Sequence, residues 1–306
     1  MRQPIERYFQ IGLVAAMAFP ECYGGTAAPD VVDCVQALAV DDYFGAVELN
    51  PIDDEVKRLK VASMLRQSHM KVCYSAHARL LRDGLNPNDL DEQGRRAAEQ
   101  ALLAGVDEAA ELGAGGIAFL AGRWQEEKRQ EALAQLKKTT LAVCGYAKTK
   151  GLMVELEVFD FDIDKKALIG PAALAAQFAA EVRESCDNFG LMVDLSHLPM
   201  CYEESAYVLR LLRPCITHFH VGNTVISSPD ASAYGDEHPR FGYPQSENDR
   251  PQLLAFLRTM KQEGFFCKET PYTLSFEVKP RPEEDVFAVL ANTKRVMNHA
   301  WALLED

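Results

Sequence analysis

Eight short apolar runs, each followed by a longer stretch of helical periodicity, constrain this chain more than any other feature. The runs are residues 11–18 (IGLVAAMA), 45–50 (GAVELN), 71–76 (KVCYSA), 116–121 (GIAFLA), 152–159 (LMVELEVF), 190–196 (GLMVDLS), 216–222 (ITHFHVG) and 273–279 (TLSFEVK). Their length and branched or aromatic content read as strands. Between them the spacing predicts helices, clearest over 91–113 and 125–151, each closing on a glycine that suits a left-handed cap, and continuing over 171–186, 202–212, 249–264 and 282–304. Strand–helix alternation repeated eight times, with no Pro/Gly/Ser linker, is the arithmetic of a single (β/α)8 barrel, an α/β TIM barrel domain spanning residues 1–306. A doubly wound open sheet shares the alternation and stays open as the structural alternative.

Two connections exceed what a barrel requires, from Ala76 to about Asp91 and from Asn223 to about Asn248. Long strand-to-helix loops of a barrel lie on its catalytic face, so both are expected to wall or cover a site. A net charge of -13 argues against a protein that grips nucleic acid or an anionic membrane, because phosphate binding needs clustered Lys and Arg. The N-terminal stretch is polar and no apolar run reaches membrane-spanning length, so a cytoplasmic protein is the expectation. The eight cysteines are scattered without a C-x-x-C pair and read as reduced, mostly buried thiols.

Five of the seven histidines fall at strand ends or in the loop that follows: His77 after the third strand, His197 after the sixth, His218 and His220 in the seventh, and His238 in the long loop beyond it. Glu157, Asp194 and Glu277 lie at the ends of strands five, six and eight, and Asp236 stands two residues before His238. In a barrel the carboxyl ends of the strands ring one opening, so these residues converge although far apart in sequence. A single such His or Glu is usually a solvated or structurally paired group, as Glu155 could be. Asp194, His220 and Glu277 together would be costly to enclose without partners, and one divalent cation satisfies all of them.

The segments VELEVFDFD, MVDLSH, HFHVGN and SFEVKP, in this order at these strand ends, resemble the xylose isomerase-like barrel superfamily, which includes ketose 3-epimerases, inosose dehydratases and type IV apurinic endonucleases. The resemblance to the ketose 3-epimerases implies Glu157, Asp194, His220 and Glu277 as ligands of one divalent ion, Mn or Mg first, Co or Zn next. It implies His197 as a substrate contact, and Glu157 and Glu277 as the acid/base pair moving a proton beside a carbonyl through an enediolate held by the metal. A small carbohydrate is the implied substrate, and a homo-oligomer the implied assembly.

Two departures bear on sugar recognition. Ile226 stands where the ketose 3-epimerase pattern has an Arg, and Ile163, between Asp162 and Asp164, where it has a substrate-binding Glu. Endonuclease-like features are partial: His77, Asp236 and His238 match, but AFLAGRW offers no His after strand four. His77, His218, Asp236 and His238 are therefore candidates for substrate or a second metal. Arg240, Lys279 and Arg281 are candidates for anion or hydroxyl contacts, and Trp124 for sugar stacking. The leading expectation is a metal-dependent sugar or sugar phosphate isomerase or epimerase. A dehydratase or lyase on a keto-polyol comes second, and a phosphodiester hydrolase or a non-catalytic metabolite binder follows.

Overall fold

A computed structural model describes residues 1–23 and 29–305. Along it run β1 (Phe9–Val14), α1 (Val31–Ala39), β2 (Ala46–Leu49), α2 (Glu55–Ser68), β3 (Lys71–Ser75), α3 (Glu92–Leu112), β4 (Gly116–Leu120), α4 (Arg129–Thr149), β5 (Met153–Val158), α5 (Ala172–Arg183), β6 (Phe189–Asp194), α6 (Ser205–Leu212), β7 (Ile216–Gly222), α7 (Arg250–Gln262), β8 (Tyr272–Glu277) and α8 (Val286–Leu303). The strands pair in parallel and in sequence order, and β1 also pairs with β8, which closes a (β/α)8 barrel and excludes the open sheet.

The helices start and stop where local chemistry dictates. Asp91 accepts from the backbone of Gln93 and Gly94 at the start of α3, and Gly113 ends it at φ +78°. Asp285 accepts from Ala288 N at the start of α8.

Three expectations are corrected. The first strand ends at Val14, and Ala15–Ala18 wind into a helical turn, as a run of strong helix formers will when it leaves the sheet. The connection after β3 is not all loop: His77–Arg82 form a short helix anchored by the buried Leu80. Cys22 and Cys34 are joined in a disulfide, because the turn Pro20–Tyr23 packs against α1; the other cysteines are free, and all but Cys267 are buried.

Alternation along the strands sorts the core into two compartments. Outward residues such as Leu13, Val47, Phe119, Leu156, Val193, Phe219, Val221, Leu274 and Phe276 are buried against the helices. Inside the barrel, where branched apolar side chains usually fill the layers, this chain places Glu48, Glu155, Glu157, Asp194, His218 and His220, all buried. The registers pair Asp194, the last residue of β6, with His220, and Glu277, the last residue of β8, with Gly222 two residues further along β7, so that all three side chains come near one end of the barrel.

The loop 223–248 is fastened at its base. Asn223 donates to Arg240 O and Ser246 Oγ, both at 2.8 Å, and accepts from the backbone of Thr224 and Asn248 at 2.9 and 2.7 Å. Its segments are tied together by Thr224 Oγ1 to Gly235 O at 2.7 Å. Among the described residues, no helix is long and apolar enough to cross a membrane.

Candidate metal centre

Four side chains at the strand ends meet: ligating atoms of Glu157, Asp194, His220 and Glu277 all lie within 4.8 Å of one another. His220 is turned so that Nδ1 faces this group, 2.8 Å from Glu277 Oε2 and 3.4 Å from Glu157 Oε1. Its Nε2 lies 3.0 Å from Glu48 Oε1 on the far side of the ring. Asp194 is held by the backbone N–H of Ser196 at 2.8 Å and by the Ser196 hydroxyl. Glu157 Oε1 is buried with no hydrogen-bond partner in the described structure, an arrangement that leaves a lone-pair acceptor aimed into the group.

That donor set fits a divalent cation. Three carboxylates and one imidazole nitrogen suit Mn, Mg, Co or Zn, and the buried oxygen without a partner marks where a positive charge belongs.

Electrostatics around the group follow from burial and pairing. Burial works to raise Glu157, but His220 and His77 outweigh it and hold the carboxyl below its usual range. Asp194 stays raised, because its burial outweighs His197 and His238. Burial pulls His220 down, yet Glu48, Glu157 and Glu277 together push it well above the ordinary imidazole value.

A second group adjoins the first. His197 donates from Nδ1 to Val158 O at 2.9 Å, which presents Nε2 to Asp236 Oδ1 at 2.9 Å. His238 Nε2 lies 2.7 Å from the same Asp236 oxygen, and its Nδ1 is 3.7 Å from Asp194 Oδ2. His238 takes φ +43°, a conformation costly for a bulky residue and held by Lys279 N donating to His238 O at 2.7 Å. His77 joins from the other side: its Nδ1 shares a hydrogen bond with Ser75 Oγ at 2.6 Å, and Nε2 is 3.0 Å from Glu157 Oε2, though off the hydrogen-bonding direction.

The remaining sequence candidates are placed elsewhere. His218 points into the barrel below the ring, with Nε2 2.9 Å from Glu48 Oε1 and Nδ1 3.2 Å from Glu155 Oε2. Arg240 binds Glu284 at 2.7 Å and lies over Tyr243, bracing the loop. Lys279 and Arg281 both reach Glu237 Oε2 at 2.9 Å, beside a rim cavity of about 580 Å³. Trp124 packs on Phe161 and under Arg129.

Two participants were not anticipated from sequence. Glu48 fixes His220 from behind, and its only signal is an acid inside an otherwise apolar four-residue strand. Lys165 approaches Asp236 Oδ2 at 2.7 Å, and nothing in its Asp- and Lys-rich surroundings distinguishes it from a solvated loop residue.

A parallel barrel with a carboxylate–histidine ring at the carboxyl ends of its strands defines the class. The chain belongs to the xylose isomerase-like TIM barrel family, whose model matches residues 32–292. Among solved structures it is similar to a D-tagatose 3-epimerase-like protein, at 16% identity and TM-score 0.70, covering 96% of this chain and 99% of that one. A D-psicose 3-epimerase solved with D-fructose matches at 11% identity and TM-score 0.71, covering 97% and 99%. The IolI protein with a bound zinc atom matches at 15% identity and TM-score 0.71, covering 97% and 100%. No curated protein matches the sequence.

Proposed function

We propose that this protein is a divalent-metal-dependent sugar or sugar phosphate isomerase or epimerase, with Glu157, Asp194, His220 and Glu277 holding the ion. The observation that carries the reading is the convergence of these four ligating atoms within 4.8 Å around the unpartnered Glu157 Oε1. The similarity to solved structures of ketose 3-epimerases supports it.

The bound ion supplies Lewis-acid polarisation of the substrate carbonyl and offsets the charge of the enediolate. The chain's own carboxylates do the proton work. Glu157 on β5 and Glu277 on β8 reach the group from strands three steps apart in the ring, so one removes the proton beside the carbonyl and the other returns one from the opposite face. Return to the same carbon epimerises it; return to the neighbouring carbon exchanges aldose and ketose. His197, fixed by Val158 O and bonded through Nε2 to Asp236 Oδ1, becomes a substrate contact if a substrate oxygen takes the place of that carboxylate oxygen. Lys279 and Arg281 on the adjoining cavity serve as hydroxyl or anion contacts once substrate competes with Glu237 for them.

Dehydration by the same residues is the second reading. It is favoured by His238, whose buried Nε2 has no well-formed hydrogen bond and lies 3.6 Å from Glu277 Oε1, where it would protonate a departing hydroxyl.

The test is metal content by elemental analysis of wild type and His220→Ala, then solvent-deuterium exchange into keto-sugars. One ion per chain lost in the variant, with exchange abolished in Glu157→Gln and Glu277→Gln, is expected. Absence of metal after reconstitution would remove the mechanism. Loss of water from the substrate, in place of deuterium retained in an isomer, would decide for the dehydratase.

A further inference from the structure

The centre contains enough side chains for two cations. Besides the four-ligand group, atoms of Asp194, His197 and His238 lie within 4.8 Å of one another, and Asp236 Oδ1 touches both imidazoles at 2.9 and 2.7 Å. Two imidazoles and two carboxylates are a chemically adequate second set. The buried Nε2 of His238 has no hydrogen-bond partner of good geometry among the described residues, as an imidazole ready to ligate would.

Lys165 intervenes. Its ammonium lies 2.7 Å from Asp236 Oδ2 and 3.1 Å from Asp164 Oδ2, and its side chain is 22% exposed. The loop after β5 is built to deliver it there. Asp160, wholly buried, accepts from the backbone N–H of Ile163, Asp164, Lys165 and Lys166 at 2.8, 2.8, 2.9 and 3.3 Å, and Lys166 takes φ +52°. The loop is fastened to its neighbour as well, since Asp236 N donates to Asp164 Oδ2 at 3.0 Å.

We propose that Lys165 stands in for a second cation, so that the centre takes one divalent ion although its side chains could hold two. This rests on the metal centre proposed above. An ammonium on one Asp236 oxygen neutralises the carboxylate that a second ion would need and repels a dication bound to the other oxygen. His197 and His238 then stay free of metal, facing Asp236 and the substrate. Chemistry that needs two or more ions acting together, such as metal-assisted phosphodiester hydrolysis, is denied to this chain.

The test counts zinc. Wild type, Lys165→Met and Lys165→Arg are stripped, titrated with Zn²⁺ by calorimetry, dialysed and analysed for metal per chain, with thermal melting as the check on folding. One equivalent is expected in wild type and in Lys165→Arg, and two in Lys165→Met. Should Lys165→Met fail to fold, Lys165→Gln removes the charge while keeping a polar head, and two equivalents are expected there. Two equivalents in wild type, or one in a folded charge-removing variant, overturns the inference. Zero in every protein overturns the metal centre itself, a result distinguishable from either.

Discussion

Glu48 is a buried carboxylate whose Oε1 is shared by Nε2 of His218 and Nε2 of His220. Burial alone would raise it, but the two imidazoles outweigh that and hold it well below the usual carboxylate range. By accepting the Nε2–H of His220 it leaves Nδ1 as the nitrogen that faces Glu157, Asp194 and Glu277, the arrangement by which a carboxylate orients a metal-bound histidine. An amide at this position can keep one oxygen between the two imidazoles but removes the negative charge that holds and orients both. Glu48→Gln is therefore expected to weaken Mn²⁺ binding about 10–100-fold in equilibrium dialysis, with unchanged far-ultraviolet circular dichroism; unaltered affinity would refute the role. His220 itself was legible, because two histidines alternate on one strand and are too polar to be there idly. Glu48 was not, since one acid in a four-residue strand carries no period. Arg240, Lys279 and Arg281 were visible as basic residues, but their partners Glu237 and Glu284 sit in other loops or turns, and such pairing is set by the fold.

Strand β7 and the loop it feeds make the site an assembly of elements. Gly222, the last residue of β7, is pressed so closely that a Cβ there would lie 2.8 Å from His238 Nδ1, 2.9 Å from Glu277 O and 3.4 Å from Asp194 Oδ2. Glu277 O is backbone and cannot yield without parting β7 from β8. Gly222→Ala is thus expected to destabilise the protein by about 1–3 kcal/mol through overpacking, and to weaken metal binding because β6, β8 and the His238 loop all meet at this point. Melting temperature and Mn²⁺ affinity unchanged from wild type would show that the contact is slack. The segment HFHVGN now reads residue by residue: His218 and His220 inward, Phe219 and Val221 against the helices, Gly222 for close approach, and Asn223 as the clamp of the loop. Alternation made the first four legible, whereas the tasks of Gly222 and Asn223 depend on what the next strand and loop bring near.

At the scale of the whole barrel, the strand order and closure followed from eight repeats of one pattern; element ends moved by a few residues throughout, and short helical turns took over a strand end and a loop at Ala15–Ala18 and His77–Arg82. The unusual charge of the interior has a consequence for the metal-free protein. Burial lowers each of these imidazoles, but their carboxylate partners prevail: Asp236 and Asp194 push His197 up to about 10, Glu277 and Asp236 push His238 to about 9, and Glu48 and Glu155 push His218 to about 9. Groups whose folded pKa lies above the unfolded value near 6.5 stabilise the fold fully below about pH 6.5. That contribution is lost as pH rises through the folded values, so the metal-free barrel is expected to melt at progressively lower temperature from about pH 7 to about pH 10. Depressed carboxylates such as Glu157 act in the opposite direction, and their share is lost only on strong acidification. A saturating divalent ion supplies positive charge to two of these carboxylates, Asp194 and Glu277, without depending on those protons, so the loaded protein should melt higher and with a shallower pH dependence. Melting curves for stripped and loaded protein across this range decide the matter: parallel curves would mean that the interior imidazoles are not balancing the ring, and converging curves at low pH, where protons do the balancing in both, are the expected result.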